Sequence, residues 1–438
     1  MKSLGEQENS LRSFLAKAVA GTFGLQVANA GFAYVSTLLL ARFLGAAGYG
    51  SYAYALAWLN LLTIPALLGL PGLITREISI YQSKSNWGLA KGLLLWANKI
   101  VLLTSLALAL LFVGMTRWLT NATPQTISIL GIAAIALPLM TLTQLRQPTM
   151  QALNRIVLGQ LPEFLIRPVL FISLLGGSYL AFGKNFTAPW AMGLYVAANG
   201  VAFLFGTWFL TKSLPAVYQE VPAEYAPRIW LRSALPMLLI GGMYVINNRT
   251  DTIMLGVMRD QAEVGIYSIA SQGSSLLSFV LIAFNTSLAP TFASLYAQGN
   301  FNRLQKIVTK SSRMILLATV PMCLGLTVFS SFFLSLFGAE FVQGKSALTI
   351  LIVGQFFNAA TGSVALLLTM THYERDVAFG VTASAVLNVI LNAVLIPSSG
   401  LEGAAIATTA SRIAWNVLLV FLVYKRLGIR STALGKWI

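Results

Sequence analysis

Long apolar runs alternate with short polar stretches along the entire chain. Each run has about 20 residues, the length that an α-helix needs to cross about 30 Å of hydrocarbon. The connections between runs are too short for an extramembrane domain, so the pattern predicts an all-α integral membrane protein. The twelve predicted spans are 19–41, 50–73, 92–116, 126–147, 157–182, 188–211, 232–257, 264–290, 314–336, 346–371, 377–397 and 402–424.

Composition supports this class and excludes others. Of the 438 residues, 57% are hydrophobic and 10% are charged, whereas soluble domains are about 25% charged. Such a chain cannot cover a surface that faces water, and its single cysteine, Cys323, excludes a disulfide scaffold. The first apolar run is too long for a cleavable signal peptide and lacks a small-residue cleavage site.

The basic residues predict how the chain is oriented. The formal net charge is +16, from 29 Lys and Arg against 13 Asp and Glu. With the N-terminus inside, 20 of the 29 fall on the cytoplasmic side, including Arg146 and Arg232 at the cytoplasmic edges of their spans. Five fall on the opposite side and four within spans. Because basic residues accumulate on the cytoplasmic side, this bias predicts a multi-pass protein of the cell inner (cytoplasmic) membrane with both termini cytoplasmic. No nucleic-acid partner is needed to explain the charge.

A short motif recurs where the second and eighth spans begin, 215 residues apart. Its copies are Gly50, Tyr52 and Ala55 in GYGSYAYA, and Gly265, Tyr267 and Ala270 in VGIYSIAS. The match predicts two six-helix lobes of the same topology, related by a parallel repeat, with a central cleft. The predicted regions are an interfacial N-terminal segment 1–18, an N-terminal lobe 19–211, a cytoplasmic inter-lobe linker 212–231, a C-terminal lobe 232–424 and a basic cytoplasmic tail 425–438.

Ionisable residues within the spans are the candidate functional groups. Each costs at least about 2.5 kcal/mol at the centre of a span, so such residues usually face a cavity or a partner. The basic ones outnumber the acidic ones, which predicts a hydrated cleft that attracts an anion. The predicted anion-binding residues are Lys99, Arg167, Arg249 and Arg412, and the two acidic ones are Asp251 and Glu163.

Local alternatives exist for these residues. Glu163 precedes Arg167 by four positions, the favoured order for a pair within one helix. Arg249 and Asp251 are two apart, about 200° around a helix, so each needs another partner. Arg249 could instead extend its side chain towards the headgroups, and Lys99 could lie over an aromatic ring one turn away.

The residues of catalytic and metal sites are scarce. One histidine, His372, and one cysteine cannot build a His/Cys metal site or a histidine triad at several places. No GxxxxGK[ST] phosphate loop occurs. The sequence therefore predicts no catalytic residues, no metal, no cofactor and no enzyme.

Three stretches carry a resemblance to a known family: LARFLGAAGYGSYAYA, DTIMLGVMRDQAEVGIYSIA and GLEGAAIATTASR. They resemble the bacterial O-antigen and polysaccharide flippases of the multidrug, oligosaccharidyl-lipid and polysaccharide exporter superfamily. The resemblance implies two six-helix lobes, a cationic central cavity and alternating access. Its implied cargo is an undecaprenyl-diphosphate-linked oligosaccharide, turned from the inner to the outer leaflet for surface polysaccharide and O-antigen assembly.

The charged residues suit this cargo. A diphosphate is an anion that must cross hydrocarbon, and Arg and Lys can replace the water around it. We expect Lys99, Arg167, Arg249 and Arg412 to line the cleft, and Asp251 or Glu163 to couple transport to protons or sodium. Expected partners are the lipid-linked oligosaccharide, membrane lipids and proteins of polysaccharide assembly.

Three alternatives compete with a polysaccharide flippase. A cation-coupled multidrug antiporter of the same superfamily should carry acidic groups in its N-terminal lobe, where Glu163 is the clear candidate. A peptidoglycan-precursor flippase should have two additional spans, for which the length leaves little room. A membrane polysaccharide polymerase or ligase should have a long external loop bearing Arg and His, and the predicted outer connections are short.

Overall fold

The computed structural model describes residues 2–118 and 124–435; the side chains of the predicted interfacial segment 1–18 and residues 436–438 of the tail lie outside that description. Its elements are α1 (Lys2–Leu67), α2 (Leu70–Ser83), α3 (Trp87–Trp118), α4 (Pro124–Ala152), α5 (Ile156–Leu161), a π-helical segment (Pro162–Ile166), α6 (Arg167–Phe182), a 3-10 turn (Gly183–Asn185), α7 (Ala188–Ser213), α8 (Val217–Glu220), α9 (Pro227–Met258), α10 (Gln261–Ser275), α11 (Ser278–Ala297), α12 (Phe301–Val328), α13 (Ser330–Ser335), a 3-10 helix (Ala339–Gly344), α14 (Lys345–Thr361), α15 (Val364–Met370) and α16 (Glu374–Leu427). These described residues are helical apart from short connections.

Two very long helices each contain two predicted spans. Within the described residues, nine helices are long and apolar enough to cross a membrane, or ten with the bent pair α14–α15. α1 changes direction at Gly45 (φ 68°, ψ −178°) and α16 at Gly400 (φ 50°, ψ −129°). Glycine adopts such positive φ angles without a Cβ clash. The chain therefore passes from one span to the next with a single glycine as the corner.

Packing divides the chain into two compact units. Unit 1 comprises Met1–Leu44 and Trp58–Gly242, and unit 2 comprises Gly45–Ala57 and Met243–Ile438. The boundaries of these units are set by contacts between residues, whereas the boundaries of the predicted lobes were set by the sequence repeat. In unit 1 the predicted linker packs on other helices: the Glu224 amide donates a hydrogen bond of 3.0 Å to the Gly88 carbonyl.

In unit 2 the repeated glycines lie at one close helix contact. A Cβ at Gly50 would overlap the carbonyl oxygen of Gln261, and a Cβ at Gly265 would overlap that of Ala46. Small residues at a helix interface let two backbones approach closely. The beginning of the second predicted span thus packs on the start of α10.

Acidic side chains cap the helices that begin after both glycine corners. Glu340 accepts a hydrogen bond of 2.9 Å from the Ala46 amide, directly after Gly45. Glu263 accepts one of 3.0 Å from the Leu401 amide, directly after Gly400. The first amides of a helix lack intrahelical acceptors, so these carboxylates stabilise the two corners of unit 2.

Candidate functional site

Asp251 lies in a buried polar cluster of unit 2. The residue is 5% exposed on α9. Its Oδ2 accepts hydrogen bonds from the Tyr267 hydroxyl at 2.7 Å and from the Thr408 hydroxyl. Its Oδ1 accepts a hydrogen bond of 2.7 Å from Asn392 Nδ2. Neutral donors from α10 and from both halves of α16 therefore surround this carboxylate.

The cluster continues along α16. Asn392 also donates to Asn388 Oδ1 at 3.0 Å, and Asn388 donates to Ser411 Oγ at 3.4 Å. The Oδ1 atom of Asn392 is buried without a hydrogen-bond partner among the described residues. The cluster, which we call the Asp251 cluster, consists of Asp251, Tyr267, Asn388, Asn392, Thr408 and Ser411. Sequence reasoning identified Asp251 but missed its partners, although Tyr267 and Thr408 lie in the stretches that carry the family resemblance.

Arg412 lies one helical turn after Thr408, beside this cluster. Its Nη1 is buried and has no hydrogen-bond partner among the described residues. The charge of Asp251 acts on it electrostatically. Arg412 therefore supplies positive charge next to the one acidic group of the Asp251 cluster.

Arg249 and Asp251 face different surroundings. Arg249 is exposed on α9, whereas Asp251 is buried. Their separation of two positions, about 200° around the helix, accounts for this difference. The two side chains therefore lie in different surroundings on α9.

In unit 1, Lys99 is exposed on α3. The nearby Trp96 packs against Trp230 instead, with 5.4 Å between ring centroids. No ion pair of Lys99 or Arg167 occurs within the described residues. In the described part of the chain, neither basic side chain thus has a carboxylate within ion-pair distance.

Glu163 lies on the π-helical segment Pro162–Ile166. Its Oε1 is buried and has no hydrogen-bond partner among the described residues. The structure describes no ion pair between Glu163 and Arg167 within 4 Å, so the intrahelical pair considered from the sequence is not formed. Both Arg167 and Arg146 act electrostatically on Glu163.

Arg146 is a buried charge at the end of the predicted span 126–147, where the sequence indicated only a basic residue on the cytoplasmic side. α4 continues to Ala152, and Arg146 is only 7% exposed within it. Its Nη1 donates a hydrogen bond of 2.6 Å to the Phe203 carbonyl, and its guanidinium carbon lies 3.8 Å from the centroid of the Phe203 ring. Pro148 suggested a break there, but the helix tolerates this proline.

Comparison with solved structures defines the class. A multidrug resistance MATE family transporter of the MOP superfamily, inward-facing, aligns with a TM-score of 0.72 and 12% identity, covering 91% of this chain and 94% of that one. The lipid II flippase MurJ, inward closed, aligns with a TM-score of 0.71 and 15% identity, covering 93% and 87%. The predicted fold class is confirmed: an all-α membrane protein with the twelve-helix, two-lobe fold.

The chain belongs to the polysaccharide biosynthesis protein family, whose model matches residues 15–296. The MatE family model matches residues 236–394. A probable low-salt glycan biosynthesis flippase, Agl15 of Haloferax volcanii, is 24% identical over 91% of this chain and 80% of its own length. The lipid II flippase MurJ of Bacillus subtilis is 21% identical over 94% and 83%. The resemblance seen in three short stretches is thereby confirmed.

Proposed function

We propose that this protein flips a lipid-linked oligosaccharide from the inner to the outer leaflet of the cytoplasmic membrane by alternating access. Family membership and the flippases among its relatives support the transport of a lipid-linked glycan. More specifically, we propose that the lipid of the cargo is undecaprenyl diphosphate and that the protein serves surface polysaccharide or O-antigen assembly. We also propose that both termini are cytoplasmic.

The observation that carries the proposal is the set of basic side chains without a paired acid inside the spans. Lys99 and Arg167 in unit 1 and Arg412 in unit 2 make no ion pair within the described residues. A cation inside a span requires water, an acid or an anionic ligand. A diphosphate offers several acceptor oxygens, which Arg binds in bidentate fashion. Lys99, Arg167, Arg249 and Arg412 would supply this positive charge, two from each unit.

The Asp251 cluster is the proposed site of ion coupling in unit 2. It joins a buried carboxylate to hydroxyl and amide groups from three helical segments, α9, α10 and α16. Binding of a proton or a sodium ion at Asp251 would remove a negative charge and rearrange these hydrogen bonds. That local change would bias how the three segments pack. Glu163 is the corresponding candidate for coupling in unit 1.

Reconstitution into liposomes tests the proposal. The probe is a polyprenyl-diphosphate oligosaccharide, and an impermeant glycosidase reports how much of it reaches the outer leaflet. We expect ion-gradient-dependent exposure with the wild type, and at least a tenfold slower rate for K99Q or R412Q, because one lost charged hydrogen bond is worth about 1.5–3 kcal/mol. K99R and R412K are the matched controls. Unchanged rates for both neutral variants in correctly inserted protein would contradict the anion cleft.

A cation-coupled multidrug antiporter is the second candidate, favoured by the likeness to the MATE transporter and by the MatE match. Both kinds of transporter have the same fold, but the flippase carries an anionic lipid-linked glycan and the antiporter carries cationic drugs. Accumulation of a lipophilic cationic dye in the same liposomes separates them. Dye transport without exposure of the glycan would assign the antiporter function instead.

A further inference from the structure

A small cavity lies inside unit 1, apart from the Asp251 cluster. Residues of α4, α5, the π-helical segment and α7 line it. The space available to the centre of a water molecule is about 10 Å³, close to the roughly 10–15 Å³ that one water requires. The lining residues are Thr143, Arg146, Met150, Leu158, Gly159, Pro162, Glu163 and Gly206.

Two unsatisfied charged atoms belong to residues that line this cavity. Arg146 Nη2 and Glu163 Oε1 are buried, and neither has a hydrogen-bond partner among the described residues. Buried polar groups are almost always satisfied by protein or by ordered water. One water molecule can accept a hydrogen bond from Nη2 and donate one to Oε1. The cavity therefore has the size and the chemistry for a single bridging water.

The surrounding chain is built to hold Arg146 at this position. Its other nitrogen, Nη1, is fixed on the Phe203 carbonyl at 2.6 Å. A Cβ at Gly206 would lie 2.5 Å from Nη1, so α7 leaves room for the guanidinium only because it has glycine there. Arg146 is thus a positioned group rather than a mobile surface cation.

Glu163 is presented by an irregular segment of its helix. The π-helical segment begins at Pro162, which has no amide hydrogen to donate to the preceding turn. Single π-helical turns inside α-helices occur frequently at functional sites. The irregular turn therefore adds an independent indication that Glu163 is a functional group.

We propose that this cavity binds one water molecule, through which Glu163 takes up and releases a proton, while Arg146 excludes metal cations. The proposal rests on ion-coupled transport as the function and names the proton as the ion of unit 1. The charged groups acting on Glu163 are Arg146 from α4 and Arg167 from α6. α5 and α7 contribute uncharged groups to the cavity: Leu158, Gly159 and Gly206.

The charges explain the choice of ion. A sodium ion in a cavity of one-water size would lie beside the fixed guanidinium of Arg146 and be repelled by it. A proton instead joins the carboxylate and needs no additional space. Protonation of Glu163 leaves Arg146 and Arg167 without a nearby negative charge, so unit 1 becomes more attractive to an anion. Proton uptake and binding of a diphosphate would then favour each other, as linkage requires.

Infrared difference spectroscopy on the full chain in lipid nanodiscs tests this directly. A pH change should reveal the C=O band of a protonated carboxyl that is lost in E163Q and kept in D251N. Replacing sodium by choline should leave its titration midpoint unchanged. A band that persists in E163Q, or that sodium suppresses, would overturn the proposal.

Arg146 variants test the proposal through the titration midpoint of Glu163, which would not change if Arg146 had a purely structural role. Removing a nearby positive charge should shift the midpoint of Glu163 upward by about one to three pH units in R146Q, whereas R146K keeps the wild-type midpoint. If R146Q does not fold, the comparison of G206A with wild type replaces it, since the added Cβ displaces the guanidinium. An unmoved midpoint overturns the role of Arg146, and a map without an ordered water in the cavity overturns the bridge. Loss of glycan transport with this titration intact would instead count against the proposed function alone.

Discussion

The two units keep an acidic side chain inside apolar helices in different ways. In unit 2, Asp251 accepts hydrogen bonds from three neutral side chains, and the cation Arg412 acts on it without a direct hydrogen bond. In unit 1, Oε1 of Glu163 has no hydrogen-bond donor among the described residues, and Glu163 lines a cavity together with Arg146. Asp251 is held by neutral donors, and Arg412 makes no hydrogen bond to it, whereas the guanidinium of Arg146 lines the same cavity as Glu163 and opposes an added cation there. The comparison suggests that the two units would respond to different ions.

The largest expected effect comes from removing the acid of unit 2. D251N leaves the Tyr267 and Thr408 hydroxyls beside an amide instead of a carboxylate. We expect a loss of about 1–3 kcal/mol in the free energy of unfolding, the usual cost of disrupting a buried hydrogen-bonded group, together with a loss of ion-dependent glycan transport. Thermal unfolding in detergent and the liposome assay measure the two effects.

Asp260 offers a matched control for that experiment. It caps α10 by accepting a hydrogen bond of 2.8 Å from the Glu263 amide. Asparagine is an equally good N-cap, so D260N should change neither stability nor transport. Equal behaviour of D251N and D260N would remove the basis for distinguishing the Asp251 cluster from surface acids.

The next prediction concerns stability and a glycine on the wall of the unit 1 cavity. Gly206 and Gly200 both lie on α7, but a Cβ at Gly200 meets nothing within 4 Å. G206A should be about 1–3 kcal/mol less stable than G200A, because overpacking displaces Arg146 from its bond with Phe203. Unfolding midpoints of the two variants provide the test. Equal stabilities would show that Arg146 is not tightly held.

The smallest effect should come from the corner of unit 2 at Gly45, where Glu340 accepts a hydrogen bond from the Ala46 amide. E340A removes the acceptor for the Ala46 amide, which should cost about 1 kcal/mol, as for other helix caps. Ion dependence of transport should stay at the wild-type level. If E340A altered ion dependence as strongly as D251N, the coupling site could not be confined to the Asp251 cluster.

The sequence was sufficient for the class of fold because membrane helices follow hydropathy closely. It did not reveal that Gly45 and Gly400 each form a corner between two neighbouring spans. A glycine inside an apolar run is also compatible with close helix packing. The repeated Gly50 and Gly265 could be identified in the sequence. Their close contact, which brings α1 against α10, could not be predicted, because a repeat shows which positions correspond and not which positions touch.

The candidate sites were only partly predictable. Asp251 was identified because an acid inside a span is costly, but its donors Asn392 and Thr408 are uncharged and common in helices. Arg146 was missed because a basic residue at the end of a predicted span is typical of the boundary between membrane and cytoplasm. Whether such a residue is buried depends on a carbonyl such as that of Phe203, 57 positions away, which no local pattern specifies.

The most direct test of the central claim is equilibrium binding of a polyprenyl-diphosphate oligosaccharide to the purified protein in nanodiscs. The comparison ligand carries the same polyprenyl chain and sugars without the phosphates. We predict at least tenfold weaker binding of the uncharged ligand, and a similar loss for the charged ligand with R412Q. Equal affinity for both ligands in the wild type would contradict the account that embedded cations recognise the phosphate-bearing head.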